Sequence, residues 1–179
     1  MKEEIIRRIF NWMKGKKDFP YSLELSPTLR CNLYCLFCWR YGKKVEIKNE
    51  LTLKEYKRIL KEAHELKVKE IRVIGGGEPL MRKDTFEIMK DIKKYGMFGY
   101  ICTNGTLFTE KMIKTLVAIG WDHIKISLHA PNKKLHNILT QGNSFERVKK
   151  NIKEIHVCKN LFIFKKYQIN WRKRWKKNI

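Results

Sequence analysis

The sequence predicts an α/β protein on a parallel sheet, and we expect a partial (β/α) barrel of about five strands. Three observations support this fold class. Short apolar segments alternate with amphipathic helical segments, as in successive βα units. Residues that favour helix starts stand between the two kinds of segment. Chemically unusual residues follow the ends of several predicted strands, and such strand ends share one rim in a barrel-like fold.

The segment of residues 1–20 begins with an amphipathic helix, predicted over 2–14. Its apolar side chains recur at helical spacing and are Ile5, Ile6, Ile9, Phe10 and Met13. A basic helix of this kind can lie on a membrane. More often such a helix packs on its own domain, and that is what we expect here.

The predicted core of residues 21–160 contains four strands, and a fifth follows it. The five predicted strands are 21–26, 70–74, 98–102, 123–127 and 161–169. Helices are predicted between them, with the N-cap residues Thr52, Asp84, Thr109 and Ser144. The remaining segment, 161–179, combines the fifth strand with a basic tail.

Length and composition favour one globular domain. The chain has 179 residues, of which 43% are hydrophobic, enough to bury a core. No apolar run reaches the roughly 18 residues of a membrane span, and the first residues are too charged for a signal peptide. Five cysteines, three of them clustered, do not resemble a secreted disulfide framework. We therefore predict a cytoplasmic protein.

The net charge of +22 suggests an anionic partner, but the charge is spread along most helices, which favours an ordinary solvated surface. The tail is a local exception, since residues 161–179 contain seven basic residues and no acid. An alternative function is therefore a basic module that binds nucleic acid or an acidic protein around a structural metal site. A nucleic acid is the less favoured partner.

The most informative motif is a cysteine loop, Cys31-x3-Cys35-x2-Cys38, directly after the first predicted strand. Three thiolates at this spacing can surround one metal centre. A closed zinc site needs four protein ligands, and a self-sufficient iron–sulfur cluster usually has four cysteines. Three cysteines leave one metal position open for chemistry. The alternative is a structural zinc site completed by one of three histidines, His64, His123 or His129.

Three further motifs follow later strands. Gly75-Gly76-Gly77-Glu78-Pro79 follows the second strand, Thr103-Asn104-Gly105 the third and Ser127 the fourth. The glycine backbone can approach a ligand closely, and Pro79 restricts the turn. Glu78 offers a carboxylate to an amine, Asn104 an amide and Ser127 a hydroxyl.

Over residues 21–160 these motifs together resemble the radical S-adenosylmethionine (SAM) superfamily, in its molybdenum-cofactor, haem and peptide-maturation branch. The resemblance implies that Cys31, Cys35 and Cys38 hold a [4Fe–4S] cluster whose fourth iron is chelated by SAM. It implies that residues 75–79 recognise the SAM amino group through Glu78, and that Ser127 meets its ribose or carboxylate. Two more residues are assigned to the cofactor site, Phe37 against the adenine and Asn104. The implied reaction is reductive cleavage of SAM to a 5′-deoxyadenosyl radical, which abstracts hydrogen from an unknown substrate.

Some features depart from the family. Its core usually has six βα units, whereas about five strands fit here, and Cys158 alone cannot build a second cluster. His129 stands where many relatives carry an acid. We therefore expect a truncated or split enzyme, with a second polypeptide completing the barrel. The expected electron donor is a reducing protein such as a ferredoxin or flavodoxin.

Overall fold

The computed structural model describes residues 2–43 and 45–161. In these residues helices and strands alternate through most of the chain. The strands are β1 (Ser22–Leu25), β2 (Glu70–Val73), β3 (Phe98–Thr103) and β4 (His123–Ile126). The helices are α1 (Lys2–Met13), α2 (Leu53–Glu65), α3 (Thr85–Lys94), α4 (Glu110–Ala118), α5 (Lys133–Thr140) and α6 (Phe145–Leu161), and one short 3-10 helix covers Pro79–Met81.

The four strands form one sheet in the order β1-β2-β3-β4, and every neighbouring pair is parallel. The pairing sets Leu25 opposite Val73, and Val73 opposite Ile101. Because parallel strands in near-even register end together, the segments that follow them meet at one edge of the sheet. The predicted parallel α/β sheet is confirmed, and the segments that carry the predicted motifs follow strand ends at one of its edges.

The core forms on one face of the sheet, because side chains alternate between the two faces of a strand. Ile71, Val73 and Ile101 are fully buried, while Arg72 between the first two is exposed. The buried strand residues join apolar side chains of α2, α3 and α4 in one cluster. Each fully buried aliphatic side chain contributes about 1.5–3 kcal/mol, so this cluster fixes the position of the strand ends.

Two of the predicted helix starts form side-chain caps, and a third does not. Thr52 forms the predicted capping box with Glu55, and Thr109 accepts a hydrogen bond from the backbone N–H of Met112. Asp84 precedes α3 but makes no capping bond. Its carboxylate accepts hydrogen bonds from the Arg82 guanidinium instead, so the prediction of an Asp84 cap is wrong.

The helix α5 was absent from the prediction. Asn132 caps it, because its Oδ1 accepts a 2.9 Å hydrogen bond from the backbone N–H of Leu135. The C-terminal end of α5 contacts the cysteine loop through its backbone. The Leu36 N–H donates to the Leu139 carbonyl at 2.9 Å, and the Tyr34 N–H lies 3.3 Å from the Thr140 carbonyl.

The helix α1 contacts its own domain as predicted, but its apolar face does not make the contact. Phe10 is 55% exposed and Met13 is 77% exposed. The buried side chain of α1 is Arg8, which is 7% exposed and donates hydrogen bonds to the backbone carbonyls of Phe19 and Pro20. The cause is that the guanidinium finds several fixed acceptors on this side of the helix.

The predicted fifth strand, 161–169, falls almost wholly outside the described residues, and its first residue, Leu161, ends α6. The basic tail also lies outside them. Within the part of the chain that the structure describes, no helix is both long and apolar enough to cross a membrane.

Candidate cluster and cofactor site

The cysteine loop follows β1, and the thiols of Cys31, Cys35 and Cys38 are all half-buried. The Cys38 N–H donates to the Cys35 carbonyl at 3.0 Å, which closes a tight turn between the last two cysteines. Burial, followed by the charges of the neighbouring Cys31 and Cys38, raises the pKa of the Cys35 thiol. The three thiols therefore lie on one short loop that directly follows β1.

The donor set fits an iron–sulfur cluster. Among the described residues, no three His, Cys, Asp or Glu side chains are grouped as ligands of a single metal ion. A [4Fe–4S] cluster is a larger object, because each of its cysteine ligands binds a different iron. Half-buried thiols on one short loop can surround such a cluster, and thiolate is the ligand that these clusters use.

The glycine run of residues 75–77 packs against the segment that leads into the cysteine loop. Its first two glycines have φ angles of 74° and 57°, in the left-handed region that favours glycine. A Cβ on Gly76 would lie 2.8 Å from the Thr28 carbonyl oxygen, and one on Gly77 only 2.0 Å from that of Arg30. The backbone of the glycine run therefore packs closely against residues 28–30, the segment that directly precedes Cys31.

Two backbone hydrogen bonds hold this approach. The Gly77 N–H donates to the Thr28 carbonyl at 2.8 Å, and the Glu78 N–H to the Arg30 carbonyl at 2.7 Å. Because Arg30 immediately precedes Cys31, these bonds fix the start of the cysteine loop relative to the end of β2.

The Glu78 side chain is 2% exposed and connects two strand ends. Its Oε1 accepts hydrogen bonds from Thr103 Oγ1 at 2.6 Å and from the Leu80 N–H at 3.1 Å. Its Oε2 accepts one from the Asn104 N–H at 2.6 Å. Burial raises the pKa of Glu78, although these hydrogen bonds act in the opposite direction. The carboxylate thus ties the turn after β2 to the end of β3, and its predicted recognition of an amine stays a prediction.

Asn104 lies directly beside the cysteine loop. Its Nδ2 donates to Asn32 Oδ1 at 2.9 Å and lies 4.0 Å from Cys31 Sγ. Its Oδ1 accepts from the Thr106 N–H at 2.9 Å, and Asn32 Nδ2 donates to Thr106 Oγ1 at 2.8 Å. This network joins the end of β3 to the cysteine loop, so Asn104 lies beside the predicted cluster ligands.

The other predicted cofactor residues follow β1, β2 and β4, whose ends lie at the same edge of the sheet. Ser127 directly follows β4, is half-buried, and donates its N–H to the Thr103 carbonyl at 2.9 Å. Phe37 is 55% exposed, and its ring lies 4.4 Å, centroid to centroid, from the ring of His129. Phe37 therefore connects the cysteine loop with the segment after β4. The proposed contacts with adenine, ribose and carboxylate stay predictions. Pro79 is buried and begins the 3-10 helix.

A supporting network beneath the cysteine loop was missed by the sequence reasoning. Glu50 accepts hydrogen bonds from the Thr28 hydroxyl and from Arg30 Nη2, the latter at 2.7 Å. Arg82, with a side chain 9% exposed, donates to the Pro27 carbonyl at 3.3 Å. These partners are 20 to 55 positions apart, and no motif marks them. They hold the segment from which the cysteine loop departs.

The sequence profile described as the Radical SAM superfamily matches residues 25–160, which is most of the chain. The protein belongs to the radical SAM superfamily. The family inferred from the cysteine and glycine motifs is therefore confirmed. Members of this family use a [4Fe–4S] cluster and SAM, the two cofactors that the motifs predicted.

Two relatives illustrate where the chain falls within that family. A protein named "Probable GTP 3′,8-cyclase" from Thermococcus kodakarensis is 35% identical over 133 residues, which cover 74% of this chain and 43% of the relative. A protein named "Fe-coproporphyrin III synthase" from Methanosarcina barkeri is 38% identical over 116 residues, covering 65% of this chain and 29% of the relative. The chain thus matches less than half the length of each of these relatives.

Solved structures confirm the fold class. SuiB of Streptococcus suis bound to the precursor peptide SuiA has a TM-score of 0.71 at 23% identity, with 87% of this chain and 35% of that chain covered. The structure of anSMEcpe with bound AdoMet has a TM-score of 0.65 at 23% identity, covering 78% and 42%. The four-stranded parallel sheet described here therefore resembles the partial barrel of radical SAM enzymes.

Proposed function

We propose that this protein takes part in radical SAM catalysis, using the cysteine loop for the cluster and the adjoining strand ends for SAM. A [4Fe–4S] cluster held by Cys31, Cys35 and Cys38 would supply the electron for reductive cleavage of SAM to methionine and a 5′-deoxyadenosyl radical, and that radical would abstract hydrogen from the substrate. The observation that carries the proposal is the joining of three motifs at one edge of the sheet. Glu78 and Asn104 connect the turn after β2, the end of β3 and the cysteine loop.

The residues of the site divide into ligands and positioning groups. Cys31, Cys35 and Cys38 would hold the cluster by their thiolates. Glu78 and Asn104 hold the neighbouring loops in place, since both make hydrogen bonds that cross between chain segments. Such preorganisation is the part of a cofactor reaction that the protein itself supplies.

The proposed substrate is a molecule with a hydrogen atom that the radical can abstract. The two relatives differ in name, since one name refers to GTP and the other to a coproporphyrin. An acidic reductant such as a ferredoxin or flavodoxin fits the net charge of +22, because opposite charge speeds encounter. A second polypeptide beside the sheet stays a prediction.

The proposal is tested by anaerobic reconstitution with iron and sulfide, followed by reduction in the presence of SAM. We expect a broad iron–sulfur absorption band and the release of 5′-deoxyadenosine. In Cys35→Ala both signals should be lost, because the remaining two thiols cannot hold the cluster. Chromatography of the nucleoside measures the reaction without requiring the substrate.

Cys158→Ala is the matched control, because Cys158 is also half-buried but packs against the hydrophobic core, away from the loop. It should keep the absorption band and the nucleoside release. A protein that stays colourless and binds zinc instead would refute the proposal. So would equal loss of both signals in the two variants.

A further inference from the structure

The helix α1 presents its polar side to the domain. Arg8 Nη2 donates to Glu4 Oε1 at 2.7 Å and to the Lys67 carbonyl at 3.0 Å. Asn11 Nδ2 donates to Asp18 Oδ2 at 3.0 Å. Polar bonds, and not apolar packing, therefore anchor this helix.

The opposite side of α1 is an exposed apolar stripe. The members, with the exposed fraction of each residue, are Ile6 65%, Ile9 50%, Phe10 55% and Met13 77%. At 3.6 residues per turn, positions three and four apart fall on one side of a helix. Single exposed apolar residues need no explanation, but a contiguous set of this size marks an interaction surface.

Exposed basic residues adjoin the C-terminal end of the stripe. Residues 2–18 contain six basic and three acidic residues. Two of the acids are already paired, Glu4 with Arg8 and Asp18 with Arg7. Three lysines at the C-terminal end of the helix and just after it are exposed, namely Lys14, Lys16 and Lys17. An apolar stripe with a cationic rim is the pattern of a helix that lies in a lipid–water interface.

We propose that α1 binds the surface of an anionic phospholipid membrane. A second copy of this chain is a poor occupant of the stripe, because each copy carries a net charge of +22. The chain's own segment 161–179 is equally unsuitable, because it has seven basic residues and no acid. Anionic headgroups attract the rim, while the acyl region accepts the stripe. The twelve residues of α1 span about 18 Å, which is too short to cross a hydrocarbon layer roughly 30 Å thick, so the helix would lie parallel to the membrane surface.

Co-sedimentation of the full chain with vesicles tests this proposal. We expect binding to vesicles of equal parts phosphatidylcholine and phosphatidylglycerol, and little binding to phosphatidylcholine alone. The double variant Phe10→Glu/Met13→Glu should lose most of the binding, because it places two charges in the stripe. Lys14→Gln/Lys17→Gln should weaken binding about fivefold for each charge removed.

The matched control is Leu135→Glu/Ile138→Glu on α5, a pair with the same spacing and exposures of 45% and 48%. It should bind vesicles as the unchanged chain does, and all variants should retain the circular dichroism spectrum of the unchanged chain. Absence of binding to anionic vesicles would overturn the proposal, as would equal binding to neutral ones. Unchanged binding of Phe10→Glu/Met13→Glu would assign the interaction to another surface. Capture of polyglutamate without vesicle binding would favour an acidic protein partner instead.

Discussion

At the residue scale, a single buried carboxylate connects the two strand ends nearest the cysteine loop. Both oxygens of Glu78 accept short hydrogen bonds, from the Thr103 hydroxyl and from the Asn104 N–H, each at 2.6 Å. A buried acceptor with this many donors is costly to replace, because each donor left without a partner remains desolvated. The order of the candidate site therefore depends strongly on this side chain.

We predict that Glu78→Gln lowers the free energy of unfolding by about 1–3 kcal/mol. The glutamine oxygen can still accept from Thr103, but its amide nitrogen then faces the Asn104 N–H, and two donors cannot bond. Urea denaturation measures the loss. The control Glu87→Gln, at a side chain 51% exposed, should change stability by less than about 0.5 kcal/mol. Equal effects of the two substitutions would contradict the role given to Glu78.

A second prediction at this scale concerns Gly77→Ala. The added Cβ would lie 2.0 Å from the Arg30 carbonyl oxygen, so the glycine run and the cysteine loop must separate. We expect a loss of several kcal/mol in unfolding free energy, about 3 kcal/mol or more, and poor cluster retention. Thermal or urea unfolding and iron content provide the measurements.

The control for this substitution is Gly96→Ala, where no atom lies within 4 Å of the added Cβ but φ is +68°. This change should cost only about 1–2 kcal/mol, the backbone penalty of a left-handed residue. If Gly96→Ala proved the more damaging of the two, close packing against Arg30 would not be the reason for glycine at position 77.

At the scale of elements, the network beneath the cysteine loop includes a carboxylate whose ionisation is coupled to folding. The hydrogen bond from Arg82, with its charge, holds the pKa of Asp84 below its ordinary value of 3.8. Because the pKa is lower in the folded state than in the unfolded state, the ionised carboxylate stabilises the fold at every pH above the unfolded pKa. That stability is lost as the pH falls through the lowered pKa.

We therefore predict that Asp84→Asn is less stable than the unchanged chain at neutral pH, by about 1 kcal/mol. The difference should shrink as the pH falls below about 4. Urea denaturation at a series of pH values measures it. The exposed pair Arg58–Glu62 supplies the control, since Glu62→Gln should show little difference at any pH. A difference that grows on acidification would have the wrong sign for this mechanism.

Elements with local signals were predictable from the sequence, and those decided by distant contacts were not. The Thr52 capping box and the strand predicted over 98–102 depend on a few neighbouring residues, and both formed as expected. Asn132 is an equally local cap, but the helix that it starts was overlooked beside the motif after β4. The helicity of α1 was visible in its apolar spacing. The face that α1 buries could not be predicted, because it depends on hydrogen bonds from Arg8 to carbonyls as distant in sequence as that of Lys67.

The candidate site divides in the same way. The cysteines and the glycine run carry recognisable spacing, so their proximity could be inferred from the order of the strands. The Glu50 and Arg82 contacts depend on how loops fold over one another, and nothing in their own neighbourhoods indicates them. The saturation of Glu78 by three donors was also out of reach, because two of them come from the end of the next strand.

At the scale of the whole molecule, the net charge of +22 sets a general electrostatic cost on the compact state. Salt screens such repulsion, with a Debye length of about 10 Å at 0.1 M. We predict that the Tm rises as sodium chloride is added from low concentration. Calorimetry or circular dichroism measures it, and potassium chloride at equal ionic strength should act alike. A falling Tm would mean that local ion pairs outweigh the overall repulsion.

The sheet order β1-β2-β3-β4 also has a consequence for synthesis, because the strands leave the ribosome in the order in which they pair. Cys31 emerges 73 residues before Asn104, the residue whose amide lies beside its sulfur in the finished fold. At a translation rate of about 5–20 residues per second, the interval is about 4–15 s. During that time the end of β3 has not yet been synthesised, so the thiols on the growing chain are exposed to oxidants and to other metal ions. The survival of the free thiols therefore depends on how soon after synthesis the cluster is delivered.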